Sequence, residues 1–172
     1  MSKFPTSSSL NDLAEPFRDK ANRFILALRN AHATVAIADT IRPPERAYLM
    51  HFSFAIAREA LDPTTIPPMS GVDIQWVHPT AAASKAAAQQ MVERYGIVFK
   101  PVLKSRHTEG RAIDMTITWQ NSLAIVRADG TTVAIASTPR DGAFNTDLHK
   151  VGASYGVIKL VSDHPHWSED GH

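Results

Sequence analysis

Ser105-Arg106-His107-Thr108-Glu109-Gly110-Arg111-Ala112-Ile113-Asp114 decides how this chain is read. Its first half is polar and carries a glycine, as a turn does. Its second half opens the alternating run Ala112 to Trp119, which predicts a strand. His107 and Asp114 stand seven residues apart, a step that matches no single helix face. A loop that turns at Gly110 into a strand lets the two side chains converge. A second polar stretch, Asp163-His164-Pro165-His166-Trp167, follows much later in the chain.

Working outward, Leu10, Leu13, Phe17, Ala21, Phe24, Ile25 and Leu28 recur at helical spacing. They predict one helix with a buried face, with Ser9 at its start and Pro16 in its first turns. Thr34 to Asp39 reads as a strand. A second helix is expected from Glu45 to Ala60, entered through Pro43 and Pro44. The proline-rich stretch Leu61 to Pro79 predicts a long loop, suited to walling a substrate groove. Within it, Trp76 either lines that groove or anchors the loop. Thr80 and Gly96 bracket an alanine-rich helix, Ala81 to Tyr95. Asp129-Gly130 sits between the runs Leu123 to Val126 and Thr132 to Ala136, a hairpin signal. A short helix near Thr146 to Ala153 and a last strand near Val157 to Val161 complete the pattern. The class expected is α+β: helices first, then a small antiparallel sheet with flanking helices. The expected organisation is one domain over residues 1–172, with 1–31 as a helical N-terminal extension packed on it.

Composition narrows the function classes. The net charge is +1 and no Lys/Arg run occurs, so a nucleic-acid binder is not expected. There is no cysteine, which excludes disulfides and thiolate metal sites and leaves nitrogen and oxygen ligands. No apolar stretch is long enough to span a bilayer. Met1 to Asn11 lacks the apolar region of a classical signal peptide. The first ten residues, with Ser7, Ser8 and Ser9 in a row, are the one part that reads as disordered. A monomer is expected.

Catalytic zinc commonly takes three protein ligands and keeps a fourth position open. His107, Asp114 and His166 supply such a set. A proton carrier is also needed, and Asp163 stands three residues before His166, with Pro165 stiffening the link. A tetrahedral intermediate carries negative charge that a fixed cation steadies. Arg42, between the strand Thr34 to Asp39 and the Pro43-Pro44 pair, is the candidate. Ser105 is expected to bond toward the site or cap a turn, and Trp167 to wall the site. His32, His51, His78 and His149 read as structural, His164 as no ligand, and His172 as solvated.

Ser105, His107, Gly110, Ala112 and Asp114 fit the S-x-H-x-x-G-x-A-x-D signature of the VanX–VanY-type D-alanyl-D-alanine peptidase family, which this chain resembles. Asp163-His164-Pro165-His166-Trp167 resembles that family's closing motif, and is most similar to the L-alanyl-D-glutamate endopeptidase branch of CwlK-like enzymes and phage endolysins. The resemblance covers about Thr34 to Trp167. Arg42-Pro43 matches the end of the family's Gly-Tyr-Arg-Pro-like stretch, with Thr40 and Ile41 in place of Gly-Tyr. It implies a hedgehog/DD-peptidase-like fold and zinc on His107, Asp114 and His166. It also implies Asp163 as acid/base, and bacterial peptidoglycan as substrate, cut at the L-Ala–D-Glu bond. The expected setting is a phage-type endolysin made in the cytoplasm and reaching the periplasmic wall through a holin. Two rivals share the motifs: a D-Ala-D-Ala carboxypeptidase or dipeptidase with the same zinc site, and a non-catalytic cell-wall-binding module.

Overall fold

A computed structural model describes residues 3–172. The class is α+β: four α-helices and a small antiparallel sheet with flanking helices. The described residues divide into two compact units, one of Pro43–Ser105 with residues 3–5, the other of Thr6–Arg42 with Arg106–His172.

The first unit is built on helices α2 (Pro44–Glu59) and α3 (Ala81–Tyr95). The Thr80 hydroxyl accepts from Ala83 N at 3.1 Å, and Gly96 closes α3 at φ +63°, a conformation that spares glycine the usual Cβ clash. Ile56, Ala57, Ala88 and Val92 fill the space between the helices. The long loop folds back onto α2: Trp76 Nε1 donates to the Tyr48 hydroxyl at 3.2 Å, and that hydroxyl donates to Pro67 O at 2.9 Å. Of its two sequence readings, Trp76 takes the loop anchor.

The second unit holds helix α1 (Phe17–Asn30), strand β1 (Thr34–Asp39), strand β2 (Ala112–Thr118), the hairpin β3 (Leu123–Val126) and β4 (Thr132–Ile135), helix α4 (Thr146–Ser154), and strands β5 (Ile158–Lys159) and β6 (His166–Ser168). The expected long first helix is split. A short 3-10 turn, Leu10–Asp12, is capped by Ser9, and α1 starts only after Pro16. The residue before a proline disfavours helical backbone, which places the break. The main sheet runs β1-β2-β6-β5. β6 is the element that the periodicity missed: the stretch following the last expected strand is itself a strand, inserted between β2 and β5. It is three residues long, too short to show alternation. The serine stretch near the N-terminus is likewise ordered, since Ser7 bridges Ile41. Met1 and Ser2 lie outside the described residues.

Alternation along β2 sorts its residues between two faces. Ile113, Met115 and Ile117 are buried together with Phe17, Phe24 and Leu28 of α1, with Leu148 and Val151 of α4, and with Trp167. Asp114 points from the other face.

Candidate metal centre

Register brings two of the expected ligands together. Asp114 on β2 is the ladder partner of His166 on β6. Directly opposed residues on antiparallel strands share a face, with Cβ atoms about 4.5–5.5 Å apart. His107 comes from the turn before β2. The turn closes through Gly110 N to His107 O at 3.3 Å and Arg111 N to Arg106 O at 2.7 Å. Gly110 sits at φ +67°, and a Cβ there would meet Ala14 N at 3.0 Å and Asp12 O at 3.2 Å. The turn is therefore pressed against the segment ahead of α1, with Ala14 N donating to Gly110 O at 2.9 Å. Only glycine suits both the backbone and the contact.

The three ligand atoms form a small triangle. His107 Nε2 lies 3.1 Å from Asp114 Oδ1 and 3.1 Å from His166 Nδ1, and His166 Nδ1 lies 3.3 Å from Asp114 Oδ1. Ligands held about 2.0–2.1 Å from a tetrahedral ion are about 3.3–3.4 Å from each other, so the triangle fits such an ion. Both histidines are buried. Burial works against ionisation of Asp114, but hydrogen bonds and charge from His107 and His166 outweigh it and hold the carboxyl well below the usual carboxylate range.

The ring nitrogens facing away from the triangle are also placed. His107 Nδ1 lies 3.4 Å from Thr40 O, and His166 Nε2 lies 3.1 Å from His172 O. A carbonyl can only accept, so each of these nitrogens carries the proton. His107 Nε2 and His166 Nδ1 are then the nitrogens that would turn a lone pair to an ion held in the triangle. Main-chain acceptors behind ligating imidazoles are the usual device for orienting them. Thr40 is itself fixed, its hydroxyl lying 3.0 Å from both Ser7 O and Ser9 O. Among the described residues, His107, Asp114 and His166 are the one group of this kind that could hold a metal ion.

The other expected site residues are placed as follows. Asp163 opens the turn into β6, where His166 N donates to Asp163 O at 3.1 Å. Its side chain is exposed and bonds to none of the three ligands. Arg42 N donates to His107 O at 3.2 Å, which ties it to the ligand turn, and its guanidinium lies 3.7 Å from Asp39 Oδ2. Ser105 ends the first unit with its hydroxyl oxygen buried. Trp167 requires a correction. It is fully buried on the face opposite His166, packed at 5.5 Å against both the Phe24 and His149 rings, so it is a core residue and not a wall of the site. Strand alternation between His166 and Trp167 is the cause. His51 and His149 bond main-chain oxygens of Pro101 and Gly142, as structural histidines do.

Sequence reading missed Lys159. Its buried ammonium donates to the main-chain oxygens of Leu160, Asp163 and His166, and so pins the turn that carries Asp163. Burial pushes its pKa down, against the pull of Asp163 and Asp114. It also missed Ser168, Asp170 and the main chain of His172, which stand behind His166. No described helix is long and apolar enough to cross a membrane. No protein-family model matches the chain, and no curated protein matches it either.

Proposed function

We propose that the chain is a zinc-dependent peptidase that hydrolyses the stem peptides of bacterial peptidoglycan, at the L-Ala–D-Glu bond. The observation that carries the metal is the triangle of His107 Nε2, Asp114 Oδ1 and His166 Nδ1, with both remaining ring nitrogens bonded to carbonyls. Two nitrogens and one oxygen suit zinc, although nickel or cobalt would fit the same donors. The substrate rests on the resemblance of Ser105 to Asp114 and Asp163 to Trp167 to the L-alanyl-D-glutamate endopeptidase branch.

Zinc bound there supplies the Lewis acidity that makes water nucleophilic near neutral pH and polarises a carbonyl. The protein's own groups do the rest. His107, Asp114 and His166 fix the ion. The Asp163 carboxylate, on the turn leading into His166, takes a proton from the attacking water and returns it to the leaving amine nitrogen. The Arg42 guanidinium steadies the negative charge that develops on the carbonyl oxygen. Release through a holin, as for a phage endolysin, fits this activity.

The test is mass spectrometry of fragments released from purified peptidoglycan, with and without a chelator. New L-Ala carboxyl and D-Glu amino ends, lost on chelation and restored by zinc, are expected. Release of terminal D-Ala instead moves the protein to the carboxypeptidase reading. No release by zinc-loaded protein overturns the peptidase reading and leaves the binding module.

A further inference from the structure

We propose that the Arg106–Asp170 ion pair is a latch that sets the metal affinity of the site by locking the turn that carries His107 to the segment that supports His166. The proposal rests on reading His107, Asp114 and His166 as a metal site, and not on the substrate.

Arg106 directly precedes His107. Its Nε donates to Asp170 Oδ2 at 3.0 Å, its Nη2 bonds the same oxygen, and its Nη1 reaches Glu109 Oε2 at 2.7 Å. One guanidinium thus bridges the ligand turn and the segment that follows β6. Asp170 in turn holds His172: its Oδ1 accepts from His172 N at 3.3 Å, beside the Ser168 hydroxyl, which accepts from the same N–H at 3.0 Å and from Gly171 N at 2.9 Å. The chain of bonds ends on the metal ligand, because His172 O accepts from His166 Nε2. A parallel bridge runs alongside, with Glu169 N donating to Arg111 O and Arg111 Nη1 lying 3.2 Å from Glu169 Oε1.

The consequence is specific. If the latch opens, His172 O loses its fixed position, His166 Nε2 loses its acceptor, and the ring is free to turn Nδ1 out of the triangle. The Arg106 and Asp170 side chains are 32% and 34% exposed, and a pair so open to solvent adds little to global stability. Metal affinity and folding stability should therefore separate.

The experiment titrates zinc into metal-free wild type, Arg106→Gln, Asp170→Asn and the double variant, against a chromophoric chelator, and follows urea unfolding of each metal-free protein. Wild type is expected to bind one equivalent. Each single variant is expected to bind roughly 10–100-fold more weakly, the usual cost of losing a group behind a ligand. The double variant should lose less than the two single losses combined, since both singles remove the shared Arg106–Asp170 bond. Urea midpoints should stay near wild type. Zinc affinities within twofold of wild type in the folded variants overturn the latch, as does a loss that merely follows a fall in the urea midpoint. Should Arg106→Gln not fold, Asp170→Asn alone decides. Wild type that takes up no zinc overturns the metal reading itself. Zinc-loaded wild type that leaves peptidoglycan intact overturns the substrate reading and leaves the latch standing.

Discussion

Asp114 and His166 are ladder partners on adjacent antiparallel strands, and their ligand atoms meet 3.3 Å apart on the face turned away from the core. The pairing of β2 with β6 is thus also the assembly of the site, and a slip of one residue between the two strands turns one of the pair toward the core and separates them.

Acid sensitivity follows from Asp114. Its folded-state pKa lies below the unfolded value, so between the two the unfolded chain binds more protons and stability rises with pH. The contribution is present above about pH 4, the ordinary carboxylate value, and is lost as pH falls toward the lowered folded value. Urea midpoints of metal-free wild type should therefore drop more steeply below about pH 4 than those of Asp114→Asn. Parallel curves for the two proteins would mean that the histidines do not hold this carboxylate.

Asp163→Ala separates metal from chemistry. The carboxylate is exposed and bonds to none of the ligands, so zinc content should match wild type. Turnover should fall about 10²–10⁴-fold, the range for loss of a positioned acid/base. Unchanged turnover removes Asp163 from the mechanism.

Gly110→Ala strains a left-handed turn and drives a methyl group into the backbone at Ala14 and Asp12. A cost of about 1–3 kcal/mol in folding stability is expected from the backbone alone. Chemical denaturation of the metal-free protein measures it, and a loss below a few tenths of a kcal/mol would show that the turn relaxes freely.

Lys159→Met removes a buried donor shared by three carbonyls on the turn carrying Asp163 and His166. Methionine keeps the bulk, so the change reports the hydrogen bonds; each carbonyl still accepts from a main-chain N–H, and losing the bonds from the charged donor costs about 1.5–3 kcal/mol. Amide hydrogen exchange at residues 160–166 should quicken more than exchange in α1. Uniform acceleration would point to a general loss of stability instead.

Much of the site was legible because its parts leave marks on side-chain chemistry. A glycine between two potential ligands announces the turn, alternation after Arg111 announces β2, and Thr80 and Gly96 bracket α3. What escaped has no such mark. β6 is three residues long, and it is a strand because β2 and β5 accept it, which is tertiary context. Had it been read as a strand, alternation would have sent Trp167 into the core. Thr40 and His172 serve the ligands through main-chain oxygens, which any residue possesses. Lys159 reads as a solvated cation until the strand buries it. Pro16 is plain in the sequence, but apolar spacing continues across it and masks the break that it makes before α1.

The sheet order β1-β2-β6-β5 has a further consequence, for the time at which the site comes into being. β2 must wait for β6, which the chain supplies only after β3, β4, α4 and β5, before the third side chain of the triangle arrives. A partly synthesised or C-terminally clipped chain can offer His107 and Asp114 but no closed triangle. An ion held by the triangle would reward only the paired sheet, because binding to the native form alone draws the folding equilibrium toward it. A chelating dye that gives up its ion to this protein would work as a clock for completion of the fold.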